Sequence, residues 1–233
     1  TIFSTVMRNL NAVFAGRKTV LPGAGLNYYP ISLEGRCNLY LTAERGWPDK
    51  ERDFSHLPLD RQRFTGVLYE IRDFKTSPLE NAITLSGMPG AKAEDKVTDL
   101  EVGRKADALF FLHTFHRRRE WRAGRNAPEP PVIFQYVVRY ADGKTETVDV
   151  QYGRGADHWR SSTTPAGLQD ATVAWTAPFP EDPESHAVLY QYQWNNPRPD
   201  VTIESVDLQY NEDVGGRYGA PILLGITAAE LIE

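Results

Sequence analysis

Three stretches of this chain gather residue types suited to a hydroxyl-rich or anionic ligand. Gly155-Ala156-Asp157-His158-Trp159-Arg160 sets a tryptophan between an Asp-His pair and an arginine. A sugar offers an apolar face of C–H groups and a rim of hydroxyls, so Trp159 suits stacking while Asp157 and His158 suit bonding to hydroxyls. The competing reading folds Trp159 down over the edge of its own domain and leaves His158 in solvent.

His116-Arg117-Arg118-Arg119-Glu120-Trp121-Arg122-Ala123-Gly124-Arg125 is the basic stretch. Arg118, Arg119 and Arg122 around Trp121 suit an anionic polymer, a sulfated or uronic polysaccharide or a single-stranded nucleic acid, through guanidinium forks and stacking. The alternative is a solvated loop, or one that docks an acidic partner domain. In the third stretch, Trp194-Asn195-Asn196-Pro197-Arg198-Pro199-Asp200, the prolines restrict the backbone. Asn195 and Arg198 are its polar candidates, with Arg198 pinned either for a ligand or for a structural ion pair.

Catalytic patterns are missing. The chain has no Gly-x-Ser-x-Gly elbow, no His-Glu-x-x-His helix and no phosphate loop ending in Lys-Ser or Lys-Thr. Its 31 acidic residues leave room for an unrecognised carboxylate pair of the glycosidase kind, but the required separation is not a sequence property. Asp99, Asp107, Asp142, Asp157 and Asp207 read as turn and strand-end residues. His113 and His116, three apart in an extended segment, point to opposite faces and do not share a metal without a turn. Cys37 is the sole cysteine, which excludes an intrachain disulfide and a thiolate zinc site.

These candidates need a scaffold of short strands. Gly (18) and Pro (16) punctuate the 233 residues at short intervals, and crossover helices are absent from the pattern. Val102 to Thr114 runs from a basic lead-in into the apolar segment Ala108-Leu109-Phe110-Phe111-Leu112, a buried strand. Phe134 to Tyr140 alternates, and Ala141-Asp142-Gly143-Lys144 turns it into a second alternating run, a hairpin signal. Further strands are read at 64–71, 82–86, 132–140, 145–152, 171–175, 187–194, 201–208 and 222–227. Residues 42–62 read as a long surface loop. Ile2, Phe3, Val6, Met7, Leu10, Val13 and Phe14 recur at helical spacing, so residues 1–20 form a helical or linker segment ahead of a single β-sandwich domain over 21–233.

The net charge of −5 weighs against nucleic acid as partner. No segment approaches the roughly 18 apolar residues of a membrane-spanning helix. Thr1 as first residue suggests a mature chain or an excised domain.

The set Gly103-Arg104-Lys105-Ala106-Asp107, Phe110-Phe111-Leu112-His113, Tyr136 through Gly143, Tyr152-Gly153 with Trp159, and Trp194 through Asp200 followed by Ile203-Glu204-Ser205-Val206-Asp207 carries a family likeness. From about Leu26 to Thr227 it resembles the galactose-binding-like jelly-roll modules that accompany bacterial glycoside hydrolases and other secreted multidomain proteins. The resemblance implies an all-β antiparallel sandwich and a noncatalytic carbohydrate-binding role beside a polysaccharide-degrading enzyme. It further implies a secreted, periplasmic or cell-surface location, and structural calcium of the kind such modules often hold, with no ligands assigned. A structural or protein-interaction module without glycan binding is the alternative, and a glycoside hydrolase with an unrecognised carboxylate pair is the third reading.

Overall fold

The computed structural model describes residues 20–23, 25–73, 77–119 and 129–232. The helical expectation for 1–20 therefore lies outside the described residues except at Val20, which is buried. Among the described residues the chain is all-β, a sandwich of antiparallel sheets.

In chain order the strands are β1 (Leu26–Ile31), β2 (Asp60–Phe64), β3 (Val67–Ile71), β4 (Ile83–Thr84), β5 (Lys96–Arg104), β6 (Ala108–Arg117) and β7 (Val132–Tyr140). They continue with β8 (Thr145–Gln151), β9 (Arg160–Ser161), β10 (Ala171–Phe179), β11 (Asp182–Asn195), β12 (Ile203–Gln209) and β13 (Gly219–Leu231). The larger sheet runs β1-β13-β6-β11-β10, with β4 on β13 and β9 on β11. The smaller runs β5-β12-β7-β8, and β2-β3 is a separate hairpin.

The buried segment expected at 108–112 is β6, at the centre of the larger sheet. Leu109, Phe111 and Phe115 enter the core against the smaller sheet, where Phe111 stacks on Tyr136 with centroids 3.8 Å apart. Ala108, Phe110 and Leu112 enter a second core on the opposite face. A two-residue period with both faces apolar is what a strand covered on both sides requires. Each of the three phenylalanines is wholly buried, which is worth about 1.5–3 kcal/mol apiece.

The hairpin of β7 and β8 forms at Ala141-Asp142-Gly143-Lys144 as expected. Only Gly143 takes a positive φ, of 83°; the Gly143 amide donates to the Tyr140 carbonyl at 2.9 Å. This is a type I turn closed by a left-handed glycine.

The second core corrects the reading of 42–62 as a surface loop. Trp47, Phe54 and Leu57 are wholly buried and, with the β2-β3 hairpin, cover the outer face of the larger sheet. Polar and turn residues set the tone of this segment's composition, but its three large apolar side chains are spaced to pack inward from an irregular backbone. Periodicity has no hold on such a segment.

Candidate functional site

The site is built where β11 turns away from β6. The register of β6 on β11 ends at His113 opposite Tyr190. Beyond that point the segment 155–160 takes the place of β11 beside β6, through a parallel bridge of Phe115 with His158. The Phe115 amide donates to the Asp157 carbonyl at 3.1 Å, and the Trp159 amide donates to the Phe115 carbonyl at 2.8 Å. On the other side the Val188 amide donates to the Trp159 carbonyl at 2.9 Å, so the inserted segment is hydrogen-bonded on both edges.

Gly155 opens this segment. A β-carbon there would lie 3.0 Å from Val150 and 3.1 Å from Tyr192, so the backbone passes through a gap that only glycine fits comfortably. Its carbonyl sits 3.0 Å from Nε2 of His113, whose Nδ1 is 2.8 Å from the Tyr136 hydroxyl. A carbonyl only accepts, so the proton of His113 is on Nε2, and Nδ1 accepts from Tyr136. Burial pushes the His113 pKa down to about 4, keeping the ring neutral. His113 thereby belongs to the scaffold rather than to a metal. Among the described residues no group of three or more His, Cys, Asp or Glu converges as a metal site.

Two of the three stretches singled out in the sequence meet here. His116, Arg117 and Arg119 from the end of β6 and His158, Trp159 and Arg160 from the inserted segment line one cleft of about 690 Å³, closed on the far side by Pro48, Asp49, Lys50 and Glu51. The 48–51 loop is fixed from below. Trp47 donates its indole N–H to the Arg52 carbonyl at 2.9 Å and packs edge-on to Trp159 with centroids 4.9 Å apart. Asp49 accepts the amides of Glu51 and Arg52 through Oδ1. Arg52 reaches across to Asp182 at 3.2 Å, tying the loop to the start of β11.

The cleft is cationic and rich in donors. Lys50, Arg117, Arg119 and Arg160 outnumber Asp49 and Glu51. Both acids are engaged by arginine, Asp49 by Arg160 at 3.6 Å and Glu51 by Arg52 at 3.3 Å. The rings of His116 and His158 are 5.8 Å apart. Burial first, and then the neighbouring His116 and arginines, push His158 down to about 3; burial also lowers His116. Nδ1 of His158 lies 3.2 Å from both the Arg117 amide nitrogen and the Phe115 carbonyl oxygen, so the backbone of β6 engages it either as acceptor or as donor. Two polar atoms of the cleft's wall, Nδ1 of His116 and Nε1 of Trp159, are buried and make no hydrogen bond. A buried N–H left without an acceptor costs about 1–3 kcal/mol.

No family model, curated protein or solved structure matches the chain.

The expected residues fare differently. Trp159 is 3% exposed and packs among Trp47, Phe54 and Phe179, so it offers no face for a sugar to stack on. Asp157 is 1% exposed and spends Oδ1 on the His158 amide at 2.6 Å, so it does not present a free carboxylate for hydroxyls. His158 stays at the cleft. Arg119 lines it too, but Arg118, just past the end of β6, does not: its guanidinium lies against Gly87. Trp121 and Arg122 lie outside the described residues.

The third stretch is structural at its centre. Asn196, unremarked in the sequence, accepts from the Arg198 amide at 2.9 Å and from the Tyr140 hydroxyl at 2.6 Å, and donates to the Ala106 carbonyl at 2.7 Å. Arg198 pairs with Asp142 and lies over the Tyr140 ring, 4.5 Å from its centroid. Asn195 is exposed and accepts from Gln193 at 2.8 Å.

The aspartates weighed for catalysis have architectural partners. Asp107 accepts the Leu231 amide at 2.8 Å. Asp207, wholly buried at its side chain, holds Arg139 at 2.6 Å, Lys96 at 3.1 Å and the Asp99 amide at 3.0 Å. That last bond secures a residue at φ 58°, the conformation of a bulge in β5. No helix among the described residues is long and apolar enough to cross a membrane.

Proposed function

We propose that this chain is a noncatalytic carbohydrate-binding module, a jelly-roll of the galactose-binding-like type that works outside the cell beside a polysaccharide-degrading enzyme. The observation that carries the reading is the cleft at the end of β6. At about 690 Å³ it is large enough for one or two sugar rings. The ring of His158 and the guanidinium groups of Arg119 and of Arg160, the latter also paired with Asp49, are polar groups suited to ring and hydroxyl oxygens.

Binding rather than cleavage follows from the acids. Glycosidic cleavage needs two carboxyl groups flanking the bond, one of them held protonated. Among the described residues Asp49 and Glu51 are the acids lining this cleft, and each is committed to an arginine.

Affinity electrophoresis of the intact protein through gels containing neutral and acidic polysaccharides tests the reading. Retardation by at least one glycan, relieved by free oligosaccharide and reduced by His158→Ala, is the expected result. Unretarded migration in every gel overturns it.

A further inference from the structure

We infer that acid detaches residues 155–160 from the end of β6 while the sandwich around them stays folded, so that this wall of the cleft is dismantled at low pH and rebuilt on neutralisation. The inference concerns how the wall is held and stands whatever the cleft binds.

Three of the chain's five histidines gather on this short segment. His113 closes on the Gly155 carbonyl at 3.0 Å, His158 lies within the segment, and the ring of His116 is 5.8 Å from that of His158. Each is fitted as a neutral ring. Nδ1 of His113 accepts the Tyr136 hydroxyl, so a second proton on that ring sets two donors against each other. Nδ1 of His116 is buried without a partner, and an imidazolium there leaves an N–H with no acceptor. Nδ1 of His158 touches both the Arg117 amide and the Phe115 carbonyl, of which an imidazolium satisfies only the carbonyl.

The surrounding charges oppose ionisation further. Arg117 and Arg160 bear on His158 and Arg160 bears on His116, whereas Asp49 already pairs with Arg160 at 3.6 Å. Lys50, Arg119 and Glu51 complete the wall, with Glu51 on Arg52 at 3.3 Å. Asp157 turns Oδ1 back on the His158 amide. Around His113 stand Phe134 and Tyr136 of β7 and Tyr192 of β11, with Asp149 and Asp170 acting on Tyr192.

All three rings are held below the ordinary histidine value, His113 at about 4 and His158 at about 3, chiefly by burial. The detached segment therefore takes up protons before the attached one. Attachment is at full strength above about pH 6.5 and weakens as pH falls toward 4, each histidine raising the detached population about tenfold per pH unit. Several histidines acting together make the transition steep.

Detachment is local because β6 keeps its other partners. It stays paired with β13 from Ala108 to Arg117 and with β11 as far as His113, while the segment meets it through an isolated bridge at Phe115 and His158.

Amide and indole ¹H–¹⁵N spectra of the full chain from pH 7.5 to pH 4 test this. The signals of residues 156–160 and the Trp159 indole are expected to move in one reversible transition with a Hill slope above one, while those of Phe111, Val138 and Val206 keep their native positions. In His116→Gln/His158→Gln the transition is expected to be shallower and at least half a pH unit lower. His56→Gln, at an exposed position, is expected to leave it unmoved. Thermal unfolding at pH 7.5 establishes that the variants fold, and His116→Gln alone serves if the double variant does not. Loss of core and segment signals together, or segment signals unmoved at pH 4, overturns the inference. So does a transition that the folded variants at 116 and 158 leave in place, or that His56→Gln shifts equally.

Discussion

His113 donates its Nε2–H to the carbonyl of Gly155 at 3.0 Å, joining the centre of the sandwich to the first residue of the segment that carries His158, Trp159 and Arg160. The ring is packed on Tyr136 and Tyr192 and edge-on to Phe134, so both of its polar atoms are satisfied inside an aromatic cage. A histidine in this setting is useful only while neutral.

That requirement makes stability depend on pH. The folded pKa of His113 is about 4, below the ordinary value near 6.5, so the unfolded chain binds the proton more readily. The contribution is fully present above pH 6.5 and is lost as pH falls toward 4, by about 3 kcal/mol for this group. His158, pushed to about 3, adds a loss of the same sign. Urea unfolding at pH 7.5 and pH 5 is expected to show a large drop in the wild type and a smaller one in His113→Gln.

Tyr136→Phe removes the hydroxyl that donates to Nδ1 of His113 while keeping the ring that stacks on Phe111. A buried acceptor left unpaired costs about 1–3 kcal/mol. Denaturant unfolding is expected to show a loss in that range, with the midpoint shifted and the slope unchanged.

Trp159 separates packing from polarity. Trp159→Ala opens a cavity among Trp47, Phe54 and Phe179 and is expected to cost about 3–5 kcal/mol. Trp159→Phe fills most of that space and deletes the unpartnered N–H. Its expected cost is well under half that of alanine, measured by the same unfolding experiment.

Asn196 outweighs Arg198 in holding the 194–200 turn. Asn196→Ala breaks bonds to Tyr140, Ala106 and Arg198 in a buried setting, a loss of about 2–4 kcal/mol. The Arg198 pair with Asp142 is at the surface, where salt and water screen it. Arg198→Ala is expected to lower the unfolding temperature measurably less than Asn196→Ala.

The contrast between these residues shows what the sequence reveals. Strand β6 is legible because Ala108 to Leu112 are apolar without a break, and the hairpin at Asp142-Gly143 because turn chemistry is local. The pairing of His158 with Phe115 is not legible: it joins positions 43 apart through backbone bonds that leave no mark on residue type. The same holds for the lid over the second core, where Trp47 and Phe54 follow no period. Arginines 118 and 119 look equivalent in the sequence, yet the turn after β6 puts Arg119 at the cleft and Arg118 against Gly87. Only the fold shows that the basic stretch and the 157–160 stretch line one cleft.

The most direct measurement is a two-dimensional ¹H–¹⁵N spectrum of the indole N–H groups during titration with the tightest-binding glycan, with the Trp159 signal assigned by its loss in Trp159→Phe. Saturating glycan is expected to shift the Trp159 signal more than that of Trp194, which lies outside the cleft. Saturation with the Trp159 signal unmoved would contradict glycan binding at this site.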